Sequence, residues 1–330
     1  MSKLSTNSLE KSLQTKLSKR RFLGMGALGT LLLAGAFRTL PVEKVMSKEY
    51  EEDTESIVKV NRYPEPMKWS DKDITVAWLG HASFLINFYG TKILIDPALE
   101  TRIGLTPVGN YTVGPRRYVE PALRAEDLGP VDLLLLSHAH TDHFDFPTIK
   151  KVESLNTHII TAKNTASLLK GTDFASINEL HWRESAVISG VTIKAIEGQH
   201  WGARLPWHRG MDANSLLLSK NGVNIFFGAD TGYTSKISEQ LRDVDIDLAI
   251  MGIAAYSPKS FEARHATPEQ AWQMAEEMKA KWIAPMHWGT FKLSQEPMEE
   301  PITRFRAKSA GQIEKVAIQE IGGMWVRPRT

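Results

Sequence analysis

The sequence predicts an α/β fold of four layers, αββα, with two β-sheets sandwiched between helices. Three observations carry this: short β-type runs broken by glycine turns, a continuous apolar run at Leu133–Leu136, and alternation of strand and helix patterns in both halves with no sequence repeat. Taken in order, 74–78, Ser83–Phe88 and 92–95 are separated by Gly80-His81 and Gly90-Thr91, as in an antiparallel meander. Leu133–Leu136 is apolar at every position and stops at Ser137, the pattern of a strand buried on both faces. Further strands are expected over 158–161, 191–196, 215–218, 224–227, 248–251 and 282–284. Helices are expected over 147–155, with Pro147 in the first turn, from Thr267-Pro268-Glu269 to Lys279, and over 299–309. The chain divides into residues 1–36, a polar linker or strap over 37–70, and a single α/β domain over 71–330.

The 330 residues are 42% hydrophobic and 24% charged, enough for a normal core. Cysteine is absent, which excludes disulfides, thiolate metal ligands and thiol nucleophiles, and is compatible with an oxidising compartment. The net charge of +2 comes from the first 36 residues, which hold Lys3, Lys11, Lys16, Lys19, Arg20 and Arg21 against Glu10. Taking these from 40 basic and 38 acidic residues leaves 34 and 37, a net of −3, so there is no bulk electrostatic case for a nucleic-acid partner.

Ser18-Lys19-Arg20-Arg21-Phe22-Leu23 precedes an apolar run from Met25 to Phe37 that contains Ala34-Gly35-Ala36. A charged region, an apolar region and a small-x-small site in that order form an export signal, and the segment resembles a twin-arginine signal. An uncleaved membrane anchor is the alternative, although 22–37 is short against the ~20 residues of a span. Either places the protein in the periplasm or cell envelope, and a cytosolic amphipathic leader is the remaining alternative.

The segment richest in chemistry is His138-Ala139-His140-Thr141-Asp142-His143, directly after the buried strand. Four donors in six residues past a strand end can diverge toward two cations, and imidazole nitrogen with carboxylate oxygen suits a borderline cation such as Zn²⁺. A lone histidine is more often a satisfied core or surface residue. Four donor residues in register are not. His158, His181 and His208 lack such a context and are read as structural or surface residues.

The His-x-His-x-Asp-His motif resembles the signature of the metallo-β-lactamase superfamily. That resemblance implies further ligands after later strands, and the chain supplies His200 in Gln199-His200-Trp201, Asp230 in Gly228-Ala229-Asp230-Thr231-Gly232-Tyr233, and His287 in Met286-His287-Trp288-Gly289-Thr290. The implied assignment puts His138, His140 and His200 on one zinc and Asp142, His143 and His287 on a second, with Asp230 bridging. Trp78-Leu79-Gly80-His81-Ala82, Ile95-Asp96-Pro97, Gly114-Pro115-Arg116-Arg117-Tyr118 and Arg264-His265-Ala266-Thr267-Pro268 narrow the resemblance to the N-acyl-phosphatidylethanolamine phospholipase D-like branch, over 74–291.

The reading is a di-zinc hydrolase, with manganese or iron as alternative metals, that cleaves a phosphodiester through a metal-bridging hydroxide. Asp142 orients the hydroxide and His265 meets the phosphate or protonates the leaving oxygen. His81 and Asp96 are candidates to support ligands. The substrate is a small molecule or a phospholipid, with membrane-surface association allowed and the oligomeric state open. Trp201, Trp207 and Trp288 either line an acyl groove or pack in the core. A lactonase or other carboxyl-ester hydrolase on the same centre is the alternative function, and a scaffold that has lost catalysis is the non-enzymatic one.

Overall fold

The computed structural model describes residues 56–108 and 111–328. The expected export signal or anchor over 1–36, and the linker as far as residue 55, lie outside the described residues. Strands β1 (Ile74–Gly80), β2 (Ser83–Phe88) and β3 (Thr91–Ile95) form the antiparallel meander. β4 (Leu105–Val108) and β5 (Tyr111–Val113) form a separate hairpin. β6 (Leu133–Leu136) and β7 (His158–Ala162) then continue the first sheet in parallel with β3, followed by β8 (Ser176–Leu180). Among the described residues, β15 (Met324–Val326) closes the other edge against β1, giving seven strands in the order β15-β1-β2-β3-β6-β7-β8.

Among the described residues the second sheet has six strands, β14 (Trp282–Met286), β13 (Leu248–Gly252), β12 (Val223–Phe227), β11 (Asn214–Lys220), β10 (Val191–Glu197) and β9 (Ser185–Ile188), in that spatial order. Side chains alternate faces along a strand, and the packing follows that period. Leu216, Leu218, Ile225, Phe227, Leu248 and Ile250 enter the core shared by the two sheets. Their neighbours Leu217, Phe226, Ala249 and Met251 point outward onto helices α2 (Lys236–Gln240), α3 (Pro268–Glu277) and α4 (Glu300–Ser309). Trp272 of α3 and Phe305 of α4 meet edge to face at 5.5 Å. Truncating either fully buried ring costs about 3–5 kcal/mol.

On the first sheet the helical cover is thinner: α1 (Phe146–Lys151) and short 3₁₀ turns at Pro66–Lys68, Ala125–Asp127 and Ala166–Leu169. The layers therefore run helix–sheet–sheet–helix, as expected, with most of the helix on one side. Helix α1 stops at Lys151, short of the expected Leu155. Ser154 accepts from the Asn156 N–H with its hydroxyl and from the Thr157 N–H with its carbonyl, so a local turn replaces further helix. Asp145 starts α1 by accepting from the Thr148 N–H, and α3 opens with the Thr267/Gln270 capping box. β4, β5, β8, β9, β15 and α2 have too little apolar periodicity to be seen in the sequence. Val58 bridges Val119, and Val60 joins the core, so residues 58–60 lie along the domain.

Strands β1, β3 and β6 run in one direction in the first sheet, as do β10, β12 and β14 in the second. The turns that leave their carboxyl ends carry His81, Asp96, His138, His200, Asp230 and His287 in that order. Chain direction alone thus gathers the polar residues of interest at strand ends, where α/β folds place ligand sites.

Candidate metal centre

The loop after β6 is the hub. His138 Nε2 lies 3.0 Å from His140 Nδ1, and His200 Nε2 lies 3.2 Å from the same atom. Imidazole nitrogens at ~2.1 Å from one tetrahedral ion stand roughly 3.4 Å apart, so three rings converging this closely have the spacing of a shared cation. On the other side, Asp142 Oδ2 is 3.3 Å from His287 Nε2 and 3.5 Å from His143 Nε2. Asp230 stands between the two groups. Its Oδ2 is 3.2 Å from His143, 3.8 Å from His200 and 3.9 Å from His138, and its Oδ1 is 3.1 Å from His287. The structure therefore brings together all seven residues singled out in the sequence, from loops of both sheets.

The outer nitrogens of His138, His143 and His200 are already engaged, which turns their inner ones toward the cluster. Asp96 Oδ2 accepts from His143 Nδ1 at 2.7 Å, and Asp96 Oδ1 accepts from the Ser137 N–H at 2.7 Å. The Ser137 hydroxyl contacts both Asp96 and His138 Nδ1. His200 Nδ1 donates to the Arg264 carbonyl at 3.0 Å. Asp96 thus both orients a histidine and pins a turn, with its own φ at +40°. Ser137 and the Arg264 carbonyl escape sequence reading: a serine after a strand is unremarkable, and a main-chain oxygen leaves no trace in residue type.

Burial sets the electrostatics. It pushes His138 and His140 below the ordinary histidine range and takes His200 down to about 3, so these rings are neutral donors of lone pairs. Burial opposes the charged forms of Asp142 and Asp230 too, but the surrounding histidines outweigh it and hold both carboxyls well below their usual range. Burial likewise works against protonated His143 and His287, yet Asp230 and Asp142 win, lifting His143 well above its usual value and His287 to about 9. Two ionised carboxylates away from water demand positive charge nearby. His143 Nε2 is buried and aimed at Asp230 without hydrogen-bond geometry, an orphaned atom that a cation would satisfy. The donor set fits divalent metal: hard oxygen and imidazole ligands, closely convergent, with their outer shell in place.

His265 joins the cluster from the turn before α3. Its Nδ1 is 3.7 Å from Asp230 Oδ2, and its ring stands edge-on to His200 at 4.9 Å. The Ala266 N–H donates to the Thr231 carbonyl, tying that turn to the Asp230 loop. His81 also reaches the cluster, with Nε2 3.0 Å from Asp142 Oδ2. The three tryptophans divide. Trp201 is 46% exposed and stacks on His200 at 4.5 Å, whereas Trp288 packs against Trp78 at 5.4 Å and borders both cores. Trp207 is exposed. His158 bonds Ser176 and His181 bonds Asp212, both outside the cluster.

A two-sheet sandwich carrying a His/Asp centre at one set of strand ends defines a class, and the chain belongs to it: residues 91–288 match the family described as the beta-lactamase superfamily domain. Among relatives, it is 30% identical over 243 residues to the N-acyl-phosphatidylethanolamine-hydrolyzing phospholipase D 1 of Caenorhabditis elegans, covering 68% of this chain and 66% of that protein, just under two thirds of its length. It is 27% identical over 247 residues to a UPF0173 metal-dependent hydrolase of Nitratidesulfovibrio vulgaris, covering 71% of this chain and 87% of that one. An isothiocyanate hydrolase from Delia radicum gut bacteria shares the fold, with a TM-score of 0.61 at 21% identity over 76% of this chain and 97% of its own.

Proposed function

We propose that this metal-dependent hydrolase of the metallo-β-lactamase superfamily cleaves a phosphodiester bond in a phospholipid-type substrate of the N-acyl-phosphatidylethanolamine class. The observation that carries the reading is the convergence of His138, His140, His200, His143 and His287 around one buried carboxylate, Asp230, with Asp142 against His143 and His287 and with His265 at the edge. His138, His140 and His200 would hold one divalent cation and Asp142, His143 and His287 the other, with Asp230 shared and zinc the first candidate metal. Such a pair would supply a nucleophilic hydroxide at neutral pH and would offset negative charge on a phosphoryl group.

The chain's own groups do the rest. Asp142 keeps an ionised carboxylate at the cluster and orients the attacking water. His265, held by the capped turn of α3, contacts a phosphate oxygen or gives a proton to the leaving oxygen. Trp201, exposed beside His200, offers an apolar face to an acyl chain. The similarity to the nematode phospholipase supports this substrate class over a lactone. The basic and apolar leader over 1–36 supports export or anchoring at the cell envelope, next to such lipids.

The test is metal analysis of the purified protein together with assays of bis(p-nitrophenyl) phosphate, N-acyl-phosphatidylethanolamine and a lactone panel. Two zinc per chain and phosphodiester turnover, lost in Asp142→Asn, is the expected result. Lactone turnover alone would move the reading to a carboxyl-ester hydrolase. Absence of bound metal and of activity after zinc or manganese is restored would end it.

A further inference from the structure

His81 lies in the β1–β2 turn with φ at +51°, a left-handed backbone that non-glycine residues seldom adopt. Three hydrogen bonds hold it there. Its N–H donates to Thr290 Oγ1 at 2.9 Å, and its carbonyl accepts from the His287 N–H at 3.0 Å and from Trp78 Nε1 at 2.8 Å. The side chain is 1% exposed, and its ring faces the His287 ring at 4.0 Å. Its Nε2 makes the closest approach of any histidine to Asp142 Oδ2, 3.0 Å against 3.3 Å for His287 and 3.5 Å for His143.

An ionised carboxylate only accepts, so a ring nitrogen bonded to it carries the proton. With the proton on Nε2, the other nitrogen, Nδ1, is a bare acceptor, and Nδ1 is the buried ring atom without a partner. The opposite tautomer would set two lone pairs against each other at 3.0 Å and bury an unpaired N–H.

We infer that His81 is a positioning residue for one half of the metal centre: its Nε2–H aims the Asp142 carboxylate, and its carbonyl and ring fix His287, so that both ligands meet the same cation. The donor atoms of His81, Asp142, His143 and His287 lie within 4.8 Å of one another, so direct ligation by His81 is the competing arrangement. The two are exclusive, because a nitrogen that donates to Asp142 has no lone pair for a metal. The inference rests on the proposed metal centre.

The experiment titrates the metal-free full chain with Zn²⁺ against a chromophoric chelator in three forms: wild type, His81→Gln, whose amide nitrogen reaches the same place, and His81→Asn, which tolerates the left-handed backbone but is too short. Two tight sites are expected in wild type and in the glutamine form. In the asparagine form one site should weaken by about 10–100-fold while the other is unchanged, the usual cost of losing a partner of a ligand. Two tight sites in all three forms, or equal loss in both variants, would overturn the inference and leave the metal centre standing. No tight site in wild type would sink the metal centre and this inference together. A measurement on wild type alone guards against a variant that fails to fold: in the cadmium-loaded protein, ¹⁵N–¹¹³Cd coupling at His81 Nε2 would prove ligation and refute positioning, whereas a slowly exchanging Nε2–H without coupling supports it.

Discussion

The two halves of the proposed metal centre are built on different electrostatics. His138, His140 and His200 form a group of neutral rings, each pushed down by burial, with exposed Trp201 against His200 and His140. Asp142, His143 and His287 form a charged group in which a carboxylate raises the pKa of its neighbours, backed by buried Asp96 and His81. The neutral half would bind a cation through lone pairs alone and needs its rings only aimed. The charged half would have to exchange protons for metal and needs its ligands both aimed and balanced. That is why it has the deeper support: a carboxylate behind His143 and an imidazole behind Asp142.

The largest effect expected falls on chemistry rather than on binding. His265→Ala removes a group that touches the cluster without belonging to either ligand set, so kcat should fall by roughly 100-fold with metal content unchanged, read by steady-state kinetics beside metal analysis. Loss of metal in that variant would make His265 a ligand.

The support of the two halves can be set side by side. Asp96→Asn should weaken metal at the charged half by about 10–100-fold, and Ser137→Ala should weaken the neutral half by less, both read by chelator competition. Equal effects would erase the asymmetry.

Protons distinguish the halves as well. In the metal-free protein His200 and His81 are held down at about 3, so relative to an unfolded value near 6.5 they contribute stability above that pH and lose it as pH falls toward 3. His287, raised to about 9, contributes in the opposite sense: its stabilisation is complete below 6.5 and is lost as pH rises through 9. Urea melts of the metal-free protein should show stability falling by about 2 kcal/mol for each depressed histidine between pH 6.5 and 5, and a second decline toward pH 9. A flat profile would mean these groups are not buried as described.

The smallest effect belongs to the rim. Trp201→Ala should raise KM several-fold for a long-chain substrate and leave that for bis(p-nitrophenyl) phosphate nearly unchanged. Equal changes for both would remove Trp201 from substrate binding.

Much of this centre is legible in the residue sequence, and the part that is not has a physical cause. His138-x-His140-x-Asp142-His143 sits on one loop, so its chemistry is local and shows in residue type and spacing. The core strands were visible for the same reason: β6 reads as four leucines in a row. Edge strands such as β8 and β15 are short and half exposed, and only pairing with a neighbour makes them strands.

Function split in the same way. Residue order fixes which donors exist and the sequence in which strands deliver them, because ligand chemistry is a property of side chains. Which lone pair each ring offers is settled by packing in three dimensions. That depends on the partner of its second nitrogen: Asp96 for His143, Ser137 for His138 and the Arg264 carbonyl for His200. The last two segments lie 64 residues apart, and they meet only because β10 and the turn before α3 converge at one edge of the sandwich.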